Sequence, residues 1–216
     1  MMDSYKHKGL RKQLVETIKK KGITDLKVLE AIGKIPRHLF LDSTFQNHAY
    51  EDKAFPIGSG QTISQPYTVA FQTELLKIKN RDKVLEVGTG SGYQACVLLE
   101  LGAIVYTIER QKNLYLKTKE FLPTISYQPK LFYGDGYKGL PAFAPFDKII
   151  VTAGAPDIPD MLIQQLKPGG IMVIPVGNGG IQSMITITKN DAGEVKKQEH
   201  GTFRFVPLLE NRANDK

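Results

Sequence analysis

The sharpest change of pattern along the chain falls between Lys83 and Leu101. Val84, Leu85 and Val87 form a short apolar run suited to a buried, pleated strand. Gly88, Gly90 and Gly92 interrupt it, and Gln94, Ala95, Val97, Leu98, Leu99 and Leu101 follow at helical spacing. Strand, glycine turn and helix make the first unit of a doubly wound α/β domain. The alternation continues downstream. Ile104-Val105-Tyr106-Thr107-Ile108 reads as a strand, Leu114, Leu116 and Phe121 mark a helix, and Lys130-Leu131-Phe132-Tyr133 is a short strand. Phe146-Asp147-Lys148-Ile149-Ile150-Val151 is a further strand, and residues 157–167 read as a helix stopped by Pro168-Gly169-Gly170. A strand over 171–176 and two more around the Asn190-Asp191-Ala192-Gly193 turn complete the pattern. It predicts an α/β, doubly wound sheet of about seven strands, mostly parallel, with helices on both faces and an antiparallel hairpin near the C-terminus.

Ahead of this core, residues 3–21 read as a helix with Leu10, Leu14, Val15 and Ile18 on one face. Thr24 or Asp25 is placed to cap a second helix, through Leu26, Val28, Leu29 and Ile32, which Pro36 stops. Residues 42–65 read as a loop carrying Phe45, Tyr50 and Phe55, and a loop that long inside a compact domain is usually functional. Ser64 is predicted to cap the helix through Val69, Phe71, Leu75 and Leu76, with Pro66 in its first turn.

The glycine turn reads G-x-G-x-G, and Tyr93 stands where a dinucleotide fingerprint needs its third glycine. By itself the turn fits either a ligand-binding loop or a tight connection with no ligand. Glu109 ends the next strand about 20 residues beyond the first glycine. A carboxylate there can accept hydrogen bonds from both hydroxyls of an adenosine ribose; alternatively it is a solvated strand-end acid paired with Arg110.

Composition narrows the class. The 216 residues suit one domain with a full core, and 41% hydrophobic with 24% charged residues is ordinary for a globular protein. The sequence shows no apolar run of bilayer length and no signal-peptide core, so a cytoplasmic protein without membrane contact is expected. The net charge of +7 permits an acidic or nucleic-acid partner without requiring one. Lys19-Lys20-Lys21 before Gly22 fits the end of a helix, where cations complement the dipole. The single cysteine, Cys96, excludes an internal disulfide and a multi-cysteine zinc site, and no metal is expected.

Glu86-Val87-Gly88-Thr89-Gly90-Ser91-Gly92 followed by Glu109 resembles the cofactor site of class I S-adenosylmethionine-dependent methyltransferases, whose sheet is Rossmann-like. A narrower resemblance, over about residues 8–208, is to the protein-L-isoaspartate O-methyltransferase family. It is carried by Pro36-Arg37-His38-Leu39-Phe40, Tyr50-Glu51-Asp52, Pro56-Ile57-Gly58-Ser59-Gly60-Gln61-Thr62-Ile63-Ser64-Gln65-Pro66, Tyr133-Gly134-Asp135-Gly136, Thr152-Ala153-Gly154-Ala155-Pro156 and Leu166-Lys167-Pro168-Gly169-Gly170. The stretch from Gln61 to Pro66 is the part specific to that family.

The resemblance implies methyl transfer from S-adenosylmethionine to the α-carboxylate of isoaspartyl residues in damaged proteins and peptides, with repair through a succinimide. It implies Ser64 at the catalytic site, and cofactor contacts from Glu86, Gly88, Thr89, Gly90, Ser91, Gly92, Glu109, Arg110, Gly134, Asp135, Gly136 and Thr152. Peptide contacts are implied for Thr62, Ile63, Ser64, Gln65, Ala153, Phe205 and Val206. Asp135 suits either the adenine amino group or a turn, and His38 suits a structural role. A single domain is expected, with N-terminal helices and active-site loop over 1–80 and a cofactor core over 81–210. It is expected to act as a monomer, with no nucleic-acid partner. Past Leu208 the sequence turns polar, and 211–216 are expected to fray.

The chemistry agrees. A substrate carboxylate of pKa about 3.9 is ionised at neutral pH, so attack on a sulfonium methyl needs no general base. Alignment in a dry site supplies the acceleration, and a hydroxyl orients the nucleophile without blunting it as a lysine or arginine does. Three rivals remain at this stage: a methyltransferase for RNA or a small molecule, a non-catalytic nucleotide-binding module, and a dehydrogenase, which Tyr93 disfavours.

Overall fold

A computed structural model of the chain describes residues 3–213. Helix α1 (Tyr5–Lys20) starts where the Ser4 side chain accepts a hydrogen bond from the His7 amide. Leu14 and Ile18 are buried as the pattern requires. Helix α2 (Leu26–Lys34) is capped by Asp25, which accepts from the Lys27 and Val28 amides. Thr24, the other capping candidate, instead donates to Glu74.

The 42–65 stretch departs from expectation, because it is not open loop. A 3-10 turn over Arg37–Phe40 precedes it, and it holds a second over Ser43–His48, then an antiparallel pair, β1 (Phe55–Gly58) and β2 (Gln61–Ile63). Strands of four and three residues are too short to print a period of two. Helix α3 (Pro66–Leu76) has Pro66 in its first turn, but Gln65 is the capping position and Ser64 caps nothing. The amide of Tyr67 donates instead to Asp52, 2.8 Å away and 15 residues upstream.

The core alternates β3 (Lys83–Val87), α4 (Tyr93–Glu100), β4 (Ile104–Glu109), α5 (Lys112–Thr124), β5 (Lys130–Tyr133), β6 (Phe146–Val151), α6 (Asp160–Gln165) and β7 (Leu166–Val176), ending in β8 (Gln182–Lys189) and β9 (Val195–Phe203). The seven-stranded sheet runs β5-β4-β3-β6-β7-β8-β9. Pairing is parallel from β5 to β7 and antiparallel through β8 and β9. Successive strand residues face opposite sides. Val84, Val105 and Ile150 pack with Leu76 of α3 and Leu98 of α4, while Leu85, Ile149 and Met172 pack with Leu162 of α6.

One boundary needs correction. Helix α6 is shorter than 157–167, and Leu166-Lys167-Pro168-Gly169-Gly170 opens β7 rather than ending the helix. Phe146 lies opposite Leu166 and Lys148 opposite Ile171, so the Pro-Gly-Gly stretch is looped out of register. From β3 the chain builds the sheet outward through β4 and β5, then returns to β3's other side with β6. Between β3 and β6 the order reverses, and the carboxyl ends of strands open a crevice at such a switch point.

Candidate functional site

The glycine turn after β3 is fixed at that crevice from three sides. The Gly90 amide donates to the Glu109 carboxylate at 2.8 Å. The Thr118 hydroxyl donates to the Gly90 carbonyl at 2.6 Å. Thr152, at the end of β6, donates its hydroxyl to the carbonyls of Gly88 and Val87, at 2.7 and 3.1 Å. Gly88 has φ +99°, and a Cβ there would stand 2.5 Å from the Thr152 hydroxyl, so only glycine fits. Tyr93 is buried, with the Arg37 guanidinium 4.8 Å from its ring centroid and Phe40 edge-on at 5.3 Å. The side chain that breaks the dinucleotide fingerprint thus joins the N-terminal segment to the core.

Glu109 is buried at the cavity wall; one oxygen accepts from Gly90 and the other from the Gln111 amide at 2.8 Å. Each oxygen keeps a second lone pair, the requirement for gripping two ribose hydroxyls. Burial pushes its pKa up, and the amide hydrogen bonds oppose that rise. Arg110 does not pair with it. The guanidinium donates to the Asn211 and Glu210 carbonyls, at 2.9 and 3.3 Å. Ala213 pairs with Gln111 as a β-bridge and accepts from the Tyr133 hydroxyl. Residues 211–213 are therefore docked, contrary to the expected fraying, while 214–216 lie outside the described residues.

The cavity above this loop gathers Gly88, Thr89, Gly90, Ser91, Glu109, Arg110, Gly136 and Thr152 from the cofactor set, and Thr62, Ile63, Ser64, Ala153 and Val206 from the peptide set. Four cofactor candidates do not line it. Gly92 faces Leu122 and Thr118, and Gly134 faces Ile108, each a close packing contact. The Asp135 side chain accepts from the Tyr137 amide and shapes the turn. Glu86 is fully buried, with no hydrogen-bond partner at either oxygen, and desolvation pushes its pKa up to about 8. Gln61 and Tyr93 also line the cavity, as do Val69, Val87, Gln94, Ile108 and Pro207–Leu209, to which the sequence pattern assigns no ligand. For Gln94 the signal is present: a polar residue in the first turn of an otherwise apolar helix.

A second cleft, of about 690 Å³, adjoins the first and contains Gln65, Tyr67, Arg204 and Phe205. Thr62, Ser64, Thr152 and Val206 border both. The Ser64 backbone is set by Arg37, fully buried, which donates to its carbonyl at 2.8 Å and to that of Lys53 at 3.2 Å. Asp52 accepts from the Tyr67 amide at 2.8 Å, the Gln65 side chain at 3.0 Å and Lys21 at 2.6 Å. The two cavities suit two ligands meeting at a wall of three hydroxyl residues, Thr62, Ser64 and Thr152, with no basic side chain among the residues they share.

Comparison with known proteins accords with this geometry. The family model for protein-L-isoaspartate(D-aspartate) O-methyltransferase matches residues 9–213. A protein-L-isoaspartate O-methyltransferase of Christiangramia forsetii is 65% identical over 213 residues, covering 98% of this chain and 100% of the relative. One from Flavobacterium psychrophilum is 61% identical, with the same coverage of 98% and 100%. Among solved structures, a protein-L-isoaspartate O-methyltransferase superposes with a TM-score of 0.83 at 29% identity, over 94% of this chain and 67% of that one. A Plasmodium falciparum structure, described as a beta-aspartate methyltransferase in complex with S-adenosyl-L-homocysteine, has a TM-score of 0.78 at 25% identity, over 92% and 98%.

Proposed function

The chain belongs to the protein-L-isoaspartate(D-aspartate) O-methyltransferase family, and from that premise we infer that it methylates the α-carboxylate of L-isoaspartyl residues, with S-adenosylmethionine as donor. The observation that carries this reading is the pair of cavities joined at Thr62, Ser64, Thr152 and Val206. The inner one, around Gly88–Ser91 and Glu109, takes the donor, with Glu109 on the ribose and Gly136 toward the adenine. The outer one takes a peptide, with Gln65 and Phe205 in its wall; Ile63 and Ala153, which line the inner cavity, stand beside the reacting group.

In the reaction a carboxylate oxygen forms a bond to the methyl carbon as the sulfur–carbon bond breaks, and the sulfonium leaves as a neutral thioether. The backbone amide nitrogen of the following substrate residue then attacks the ester carbonyl and expels methanol, and water reopens the resulting succinimide in part as normal aspartyl. Charge is cancelled on the way to the transition state, so the site gains more from holding the two reactants in line than from solvating either. The Ser64 hydroxyl orients the carboxylate. In this reading the chain works as a cytoplasmic monomer of one domain, residues 1–80 closing the active site over the 81–210 core. Its partners are isoaspartyl proteins and peptides, and neither nucleic acid nor membrane.

Transfer of labelled methyl to an isoaspartyl peptide, with the aspartyl twin as control, tests the activity. Labelling of the isoaspartyl peptide alone is expected. Labelling of neither, with S-adenosylhomocysteine still bound, refutes the substrate assignment. Ser64→Ala should lower kcat while leaving S-adenosylhomocysteine affinity within about twofold; unchanged turnover removes Ser64 from its role.

A further inference from the structure

Away from the two cavities, Asp3, His7 and His38 come together where α1 meets the turn over Arg37–Phe40. One ligand atom from each lies within 4.8 Å of the other two. His38 is fully buried, and its Nε2 has no hydrogen-bond partner. The buried Nδ1 of His7 has none either. The two rings stack, with centroids 3.8 Å apart and planes at 29°. A single buried ring nitrogen without a partner is uncommon and costly, and two within one such cluster call for an explanation.

Two of the three groups are already held. His38 Nδ1 lies 2.7 Å from the Tyr50 hydroxyl. The Arg11 guanidinium donates to both oxygens of Asp3, at 2.9 and 3.1 Å. Metal ligands are oriented in this way, with the far ring nitrogen and the carboxylate fixed by outer hydrogen bonds. Each Asp3 oxygen keeps a second lone pair for a further partner.

We propose that Asp3, His7 Nδ1 and His38 Nε2 form a binding site for a borderline divalent transition-metal ion of the zinc type. Zinc bonds of about 2.0–2.2 Å in tetrahedral geometry place ligand atoms about 3.3 Å apart, so atoms as much as 4.8 Å apart close by up to about 1.5 Å, and the stacked rings turn so that both in-plane lone pairs meet the ion. Neither His7 Nδ1 nor His38 Nε2 has a hydrogen-bond partner, so each is open to the ion. The charge balance selects the ion. Arg11 cancels the charge of Asp3, so magnesium and calcium, which depend on several oxygen ligands, have little to bind. Neutral imidazoles favour zinc, nickel or copper. The ion ties α1 to the turn carrying Arg37, and hence to the Ser64 carbonyl. Cysteine count, the basis for expecting no metal, does not register ligands at positions 3, 7 and 38.

The test is calorimetric titration of untagged, chelator-treated protein with zinc, and with magnesium for comparison. One equivalent of zinc is expected to bind, and no magnesium. His7→Ala should weaken zinc binding by at least about tenfold, the lower bound for losing even an outer-shell partner. A His48→Ala/His200→Ala double variant should leave it unchanged. His7 is only partly buried, so this variant keeps the core that His38→Ala would open. His7→Gln repeats the reading should the alanine variant melt early. Absence of zinc binding in the unaltered protein, or binding that survives loss of His7, overturns the site.

Discussion

Asp52 holds the entrance of α3 and the site segment before it, and its removal should be costly out of proportion to its surface position. Its side chain is 7% exposed, and it accepts from the Tyr67 amide, the Gln65 amide group and Lys21. Lys21 is half exposed, so that ion pair contributes little after solvent screening. The Tyr67 amide is different. It is one of the N-terminal donors that no helical carbonyl reaches, and losing such a cap costs about 1 kcal/mol, up to about 2. The bond to Gln65 adds about 1 kcal/mol. Asp52→Ala should therefore destabilise by about 2 kcal/mol, which for a chain of this length lowers Tm by about 4–8 °C. Asp52→Asn keeps an oxygen for Tyr67 and should lose about half as much. Thermal denaturation followed by circular dichroism reads both. In the methyl-transfer assay, Asp52→Ala should raise KM for the peptide and leave S-adenosylhomocysteine affinity nearly intact, because Gln65 lines only the outer cleft. An alanine variant that melts within about 1 °C of the parent, or an asparagine variant equal to it, refutes the capping argument.

Two further outcomes follow from the cofactor loop. Gly88→Ala forces a Cβ toward Thr152 at a backbone φ of +99°, breaking the hydroxyl's bonds to the loop; calorimetry should show S-adenosylhomocysteine affinity reduced at least about tenfold, with about 1–3 kcal/mol of lost stability. Glu86 titrates near 8 when folded against an ordinary value of 4.5, so the folded state holds its proton more tightly than the unfolded state. Its contribution is thus fully present below about pH 4.5 and lost as pH rises to about 8. Urea titrations across that window should show Glu86→Gln gaining on the parent by up to about 1.4 kcal/mol per pH unit; a constant difference would refute the assignment.

What could be read from the sequence was local. Val84–Gly92 and Glu109 carry the strand, the turn and the strand-end acid within one βαβ unit, and each lies where the pattern places it. Ser64 lines both cavities, but it does not cap α3 as the local pattern predicts, because the acceptor for the helix amide is Asp52 and the partner of the Ser64 carbonyl is Arg37, 27 residues away. Neither contact leaves a periodic trace. The Pro-Gly-Gly stretch carries the same composition whether it ends a helix or bulges a strand. The docking of 211–213 runs through backbone carbonyls of Glu210, Asn211 and Ala213, which polar side chains do not reveal.

Thr62, Ser64, Thr152 and Val206 belong to both cavities, and this has a thermodynamic corollary. In the proposed reading, methyl donor and acceptor do not have independent binding constants. Whatever one ligand changes in that common wall, the other feels as an equal and reciprocal change in affinity. The donor enters as a cation and departs uncharged, so the wall seen by an incoming peptide is not the wall seen by the ester that leaves.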